Sequence, residues 1–461
     1  MLLSRRDLLR TVAVAASTPI LRAGAATRRV GIIGGGMAGI SLAWLLDGQR
    51  DVVLLEARDT IGGNVQSVDV DLDGHQFVVD MGAQFFHPGP YPLYTALLSY
   101  LGLYPPGSAT PNPSHSFPAS ITLSTGATTR FVSPIFPDRT WPLFVSGNLP
   151  GVTAFATMFS AAAARENQNA SWWLTLNDWL PTLGLSQDQW EGMLLPWAAS
   201  LFSGSIDDAR GLSARAAMIF AAKAAPANPL EQVVYYVLNQ GMAEALRRML
   251  DQSPGIQLMT SAIVDSVSRS PQGVFTIHCT DGRTAEVDDL VFASSGPGTL
   301  QILNSLPGTE PQRGALQAIQ FHDAQLALHT DAIYAPTNPA FWSFLNCRAD
   351  GAACEASMWM GPVIEGVPVA TTGKLWKSWI THRAQAPAQI LHQVSFKHML
   401  PTPATLFAQN ILALLQGRDG IWFAGGYTRQ YDAQETALRS ALGVALGLGA
   451  LTARASALRA I

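Results

Sequence analysis

Short unbroken apolar runs, set between glycine-rich breaks and amphipathic stretches, dominate the chain. The first run, Val30 to Ile33, reads as a strand buried on both faces. Gly34-Gly35-Gly36-Met37-Ala38-Gly39 follows, then an apolar helix to about Leu46 and a second buried strand, Val52 to Leu55, ending in Glu56. Phe77 to Asp80 predicts a strand leading into the turn Met81-Gly82-Ala83-Gln84-Phe85-Phe86. From Pro88 to Pro150 the pattern predicts loops, a short helix near Tyr94 to Leu101 and β-ribbon. Helical spacing takes over from Val152 to Leu250, and Asn239-Gln240-Gly241-Met242 opens its last helix.

A β segment comes next, with strands at Ile256–Met259, Ala262–Val267 and Val274–Cys279 and a hairpin turn at Asp281-Gly282. Leu290 to Ser294 predicts a buried strand ending at the Gly296-Pro297 turn. Residues 301 to 410 mix strands, among them Leu326–Thr330, Phe341–Asn346 and Ser357–Met360, with helices. Gly420 to Gly426 is a strand entering a glycine turn, and a helix runs from about Ala433 to Gly449, with Asp432 and Glu435 at capping-box spacing.

The glycine run after the first strand has the form of a dinucleotide fingerprint. Gly34 permits the tight turn, Gly36 lets the backbone approach a pyrophosphate, and Gly39 lets helix and strand pack closely. The pyrophosphate meets the helix N-terminus, where free N–H groups and the dipole favour an anion. Glu56 accepts hydrogen bonds from a ribose diol, and its charge disfavours a 2′-phosphate.

Composition narrows the reading. The 461 residues allow two domains. Hydrophobic residues make up 48% and charged residues 13%, about half the usual charged share of about 25%. With a net charge of −4 and no long basic run outside the N-terminus, nucleic acid is not an expected partner. No uncharged apolar stretch is long enough to span a bilayer. Cys279, Cys347 and Cys354 form neither a disulfide framework nor a zinc pattern; whether Cys347 and Cys354 pair on oxidation is open. Residues 1–26 read as an export signal: Ser4-Arg5-Arg6-Asp7-Leu8-Leu9-Arg10 is a twin-arginine motif, Thr11 to Leu21 is mildly apolar, and Ala23-Gly24-Ala25 offers a cleavage site. The expected location is periplasmic or extracellular.

Four separated segments together resemble the flavin-containing amine oxidase superfamily, with its FAD/NAD(P)-binding, glutathione-reductase-type fold. They are the fingerprint with Glu56; Ala57-Arg58-Asp59 followed by Gly62-Gly63; the strand end Asp80-Met81-Gly82-Ala83; and Ile421 to Gly426 with the helix carrying Glu435 to Ala445. From Leu326 onward the chain is most similar to a bacterial subgroup of predicted NAD/FAD-binding proteins, through Leu328-His329-Thr330-Asp331, Trp359-Met360, Phe396-Lys397-His398 and Trp422-Phe423-Ala424-Gly425. The resemblance implies noncovalent FAD. Gly34, Gly36, Met37, Ala38 and Gly39 would contact its pyrophosphate. Glu56 would hold the adenosine ribose, with Ala57 and Arg58 nearby. Gly62, Gly63 and Asn64 would touch phosphate or ribityl, and the Ile263 and Val264 backbone the adenine. Gly82, Ala83, Gln84 and Phe85 would face the isoalloxazine, and Gly425 and Gly426 would approach the ribityl chain. The backbone of Glu435, Thr436 and Ala437 would meet the N1–C2=O edge, where a helix N-terminus stabilises the negative charge of the reduced ring.

The chain departs from the superfamily's pattern in three places. Asn64 stands where arginine is usual and Gly426 where glutamate is usual. The strand expected to carry a water-holding lysine reads Asp323-Ala324-Gln325-Leu326, which puts Gln325 near that place. Tyr427 and Trp376 are candidates for an aromatic cage. His87, after the Gly82 turn, could shuttle protons, although a loop histidine before proline is more often structural; His382 and His398 are weighed the same way. Lys374 and Lys377 flank Trp376, either as a solvated pair or with one of them as the displaced lysine. The tryptophans between 172 and 197 suit a core, or else the lining of an apolar pocket.

The expected architecture is α/β: a Rossmann-like FAD domain (28–100, 241–300, 411–455) interleaved with an α+β substrate domain (101–240, 301–410). The expected activity is that of an exported FAD-dependent oxidoreductase. It would take hydride from a small, mainly apolar organic substrate and pass electrons to an acceptor such as oxygen. A double-bond isomerase or desaturase on a lipid-like substrate, and a nucleotide-binding protein without turnover, are the alternatives.

Overall fold

A computed structural model describes residues 28–133, 145–224 and 231–461; the twin-arginine segment lies outside them. Among the described residues, five parallel strands form a sheet in the order Ile421–Phe423, Asp289–Phe292, Arg29–Ile33, Asp51–Leu55, Ile256–Met259. The apolar runs Val30–Ile33, Val52–Leu55 and Leu290–Phe292 follow from burial on both faces, while the edge strand Ile256–Met259 is partly exposed. The helix Met37–Leu46 is buried along its whole length, because the sheet, the helix Ala243–Asp251 and the helix Gln434–Gly447 enclose it in one core.

A seven-stranded sheet forms the second layer, ordered Ile390–Met399, Phe321–His329, Trp376–Trp379, Ala353–Trp359, Leu345–Asp350, Ile121–Thr125, Thr128–Val132. The helices between 148 and 224 pack on it, and Trp179 and Trp197 are buried there with Phe155 and Met158, as core rather than pocket. Cys347 and Cys354 are buried free thiols on neighbouring strands of this sheet.

Two expectations change. The region read as helical contains a strand before its last helix, Val234–Leu238, paired with Ser114–Pro118. Gly296-Pro297 starts the helix Gly296–Leu303, where proline at the first turn forfeits no hydrogen bond. The expected Asp281-Gly282 hairpin forms, joining Phe275–Cys279 to Thr284–Val287, and Val264–Arg269 pairs with the other edge of Phe275–Cys279.

Candidate active site

The fold draws the sequence-distant glycine segments into one strip of main chain. Gly36 lies beside Gly62, whose N–H donates to the Gly35 carbonyl at 2.9 Å. A Cβ on Gly63 would stand 3.0 Å from the Gly36 Cα, so these loops touch backbone to backbone. The Ala83 N–H donates to the Asn64 carbonyl at 2.9 Å, and a Cβ on Gly82 would lie 2.0 Å from that oxygen. Gly62 and Gly63 also adopt positive φ, +138° and +61°, which L side chains rarely accept. Met37 and Ala38 open the buried helix, whose first N–H groups have no carbonyl within their own helix.

Glu56 closes one end of this strip. It is 7% exposed, and its two carboxylate oxygens accept the Gly35 N–H at 2.7 Å and the Arg58 N–H at 3.0 Å. Each oxygen keeps a lone pair for a further donor, which fits a ribose diol. Ala57 is exposed, and the exposed Arg58 reaches the Gly63 carbonyl at 3.0 Å. The Ala262 N–H donates to the Glu56 carbonyl at 2.8 Å, which brings Ile263 and Val264 alongside. This glycine cradle and buried acid fit the adenosine diphosphate half of FAD.

At the other end, the Gly425 N–H donates to Ser440 Oγ at 2.7 Å. The Glu435 carboxylate turns away to the N-terminus of the helix Pro92–Tyr100, accepting the Tyr94 N–H at 2.8 Å and pairing with Arg439 at 2.6 Å. Only its main chain, with that of Thr436 and Ala437, is left for a ligand. The expected Asp432–Glu435 capping box does not form; the Thr436 hydroxyl takes the Ala433 N–H instead, at 3.0 Å.

The catalytic candidates separate. Lys374 is at the surface, 2.6 Å from Asp73. Gln325 is exposed on its strand and accepts from Gln393, because alternation along Phe321–His329 turns it to solvent. Tyr427 is 4% exposed inside an apolar core with Phe423 and Met399, and burial pushes its phenol pKa up; it forms no cage. Trp376 is buried against Trp342. His398 and His322 stack in a separate cluster with Phe202 and Trp379. His87 follows the turn: Nδ1 accepts the Gly89 N–H at 3.0 Å, the ring meets Tyr235 edge-on, and burial lowers its pKa.

The structure selects Lys377. It is 1% exposed, and Nζ donates to the Asp80 carbonyl, directly before the Met81-Gly82-Ala83 turn. The Asp80 carboxylate accepts from Ser67 Oγ and from the Met242 N–H. Burial pushes the Lys377 ammonium pKa down and the Asp80 carboxyl pKa up, and the charge of each offsets part of the other's shift. The signal in the sequence was a lysine inside Leu375-Trp376-Lys377-Ser378-Trp379, a run apolar enough to be an inner strand. Beside the turn lies a cavity of about 140 Å³, lined by Phe77, Asp80, Gln84, Phe85, Phe344 and Met360. Phe85 packs against Tyr235 and Phe344, with ring centroids 4.7 and 5.6 Å away.

Comparison with known proteins agrees with this arrangement. The model of the flavin containing amine oxidoreductase family matches residues 37–327, and the chain belongs to that family. It is a FAD-dependent oxidoreductase. Tryptophan 2-monooxygenase of Pseudomonas savastanoi is 42% identical over 81 residues, which is 17% of this chain and only 14% of that protein's length. Three solved structures share the fold. A CLA-producing fatty acid isomerase from P. acnes has TM-score 0.64 and 13% identity, covering 91% of this chain and 98% of its own. Putrescine oxidase bound to putrescine has TM-score 0.63 and 15% identity, covering 92% and 99%. Cyclohexylamine oxidase from Brevibacterium oxydans has TM-score 0.60 and 17% identity, covering 92% and 100%.

Proposed function

We propose that this protein is exported and oxidises a small, mainly apolar organic substrate with noncovalently held FAD, passing electrons to oxygen. One observation supports the substrate class: the cavity that starts at the residues following Gly82-Ala83, next to the glycine strip, is walled mainly by apolar side chains, Phe77, Phe85, Phe344 and Met360 among them, with His115 and Glu365 as polar lining. Bound flavin supplies the hydride acceptor, and the protein supplies position and electrostatics. Phe85 and Phe344 would hold an apolar chain and exclude water. Lys377 would fix the Asp80–Gly82 turn and present a buried amine of lowered proton affinity. His87, which follows the same turn, would accept or relay a proton.

The test is anaerobic bleaching of the purified yellow protein by a panel that contains tryptophan, putrescine, cyclohexylamine and an unsaturated fatty acid. Bleaching, with peroxide on readmitting air, is expected for an apolar member. A fatty acid converted without change of oxidation level would favour the isomerase, for which the apolar wall also suits an alkenyl chain. A colourless, flavin-free wild type would end the FAD reading. Lys377→Met should keep FAD bound yet slow bleaching at least about tenfold; an unchanged rate would take Lys377 out of the reaction. For export, lysine at both Arg5 and Arg6 should leave the protein in the cytoplasm, and continued export would remove the twin-arginine assignment.

A further inference from the structure

Gly426 has no side chain, and another residue's side chain fills that space. A Cβ built on Gly426 would fall 2.0 Å from Oδ1 of Asp432. The Asp432 carboxylate has neither hydrogen-bond nor ion-pair partner among the described residues, and Thr436 caps the helix start where Asp432 was expected to act. Arg429, the neighbouring cation, points elsewhere, with Nη2 2.9 Å from where a Cβ on Gly443 would sit. No cluster of metal-binding side chains surrounds Asp432 among the described residues. The carboxylate is half-buried, and desolvation alone raises its pKa to about 6. A carboxylate drawn partly out of water with no donor from the protein is costly, and a ligand that brings donors would relieve that cost.

Its position says which donors. Gly425 and Gly426 follow the strand Ile421–Phe423, at the carboxyl end of the parallel sheet that also delivers Gly34 and Glu56, and ligands of such sheets bind at that end. Building on the FAD reading, we infer that Asp432 is a cofactor-binding residue whose carboxylate accepts hydrogen bonds from the ribityl hydroxyls. The pyrophosphate and the N1–C2=O edge of the reduced ring are negative and repel a carboxylate, and the adenosine ribose is served by Glu56. The ribityl chain offers several neutral hydroxyl donors in a row.

The experiment compares wild type with Asp432→Asn and Asp432→Ala, and reads FAD release from the purified holoprotein by recovered flavin fluorescence, together with the melting temperature of the flavin-stripped protein. Loss of a hydrogen bond to a charged acceptor predicts release at least about tenfold faster. Removing an unpartnered, desolvated charge predicts a flavin-free melting temperature equal to or above wild type. These two opposite signs set a ligand role apart from a structural one. Unchanged release, or flavin-free protein that melts lower in step with faster release, overturns the inference. Wild type isolated without flavin would instead defeat the FAD reading on which the inference rests.

Discussion

At the scale of single residues, burial separates chemistry that sequence spacing leaves mixed. Lys374 and Lys377 are three positions apart and look alike in the sequence; one is solvated beside Asp73, while the other is enclosed under the Asp80 turn. The same contrast makes His329 a pH sensor of the fold. It is 1% exposed, bonded through Nε2 to Ser378 Oγ at 2.8 Å, and burial lowers its pKa to about 4. The unfolded chain protonates this group near 6.5, so between pH 6.5 and 4 the unfolded state binds more protons and stability falls as pH falls. The contribution is fully present above pH 6.5, and about 2 kcal/mol of it is lost by pH 5. Urea titrations at pH 7 and pH 5 should show that loss in wild type and a correspondingly smaller one in His329→Gln. Equal losses in both proteins would assign the acid sensitivity to other groups.

At the scale of elements, the glycine fingerprint is legible in sequence because its steric demands are local. A Cβ on Gly39 would lie 1.9 Å from the Gly34 carbonyl oxygen, so helix and strand cannot pack with any other residue there. Gly39→Ala is expected to cost about 3 kcal/mol and to release FAD. Gly314→Ala, on the helix Glu310–Gln317 with open space around it, should be neutral or stabilising by about 0.5–1 kcal/mol. Urea midpoints measure both, and a tolerated Gly39→Ala would contradict the close packing. The buried parallel strands are legible for the same reason: four or five apolar residues in a row require cover on both faces. The seven-stranded sheet is less so: among the described residues only two of its pairings are local hairpins, Ile121–Thr125 with Thr128–Val132 and Leu345–Asp350 with Ala353–Trp359, and the others join strands set further apart in the sequence. Gln325 and Lys377 show the consequence. Gln325 lies on the strand next to that of Lys377, and only the pairing decides which of the two faces the cofactor turn. The Glu435 carboxylate was hidden likewise, since its role depends on a helix start more than 300 residues away.

At the scale of the whole molecule, the proposed cofactor strip would clamp remote parts of the chain. Its groups come from residues 34–39, 56–64 and 82–85, and then from 425–437 at the start of the helix Gln434–Gly447, which packs against the first helix in a single core. A ligand that grips all of them opposes separation of the chain's two ends. One that grips only the pyrophosphate-binding end restrains only the N-terminal pieces. The stabilisation from binding is RT ln(1 + [L]/Kd), about 2.7 kcal/mol at a hundredfold excess over Kd. FAD added to flavin-stripped protein should therefore raise the melting temperature by a few degrees, and further with each increase in concentration. ADP at the same concentration should raise it less, because it leaves Gly425, Gly426 and the start of the helix Gln434–Gly447 uncontacted. If ADP matched FAD across the concentration range, the C-terminal segment would not be part of the binding site, and the flavin half would gain nothing from the fold that brings the two ends together.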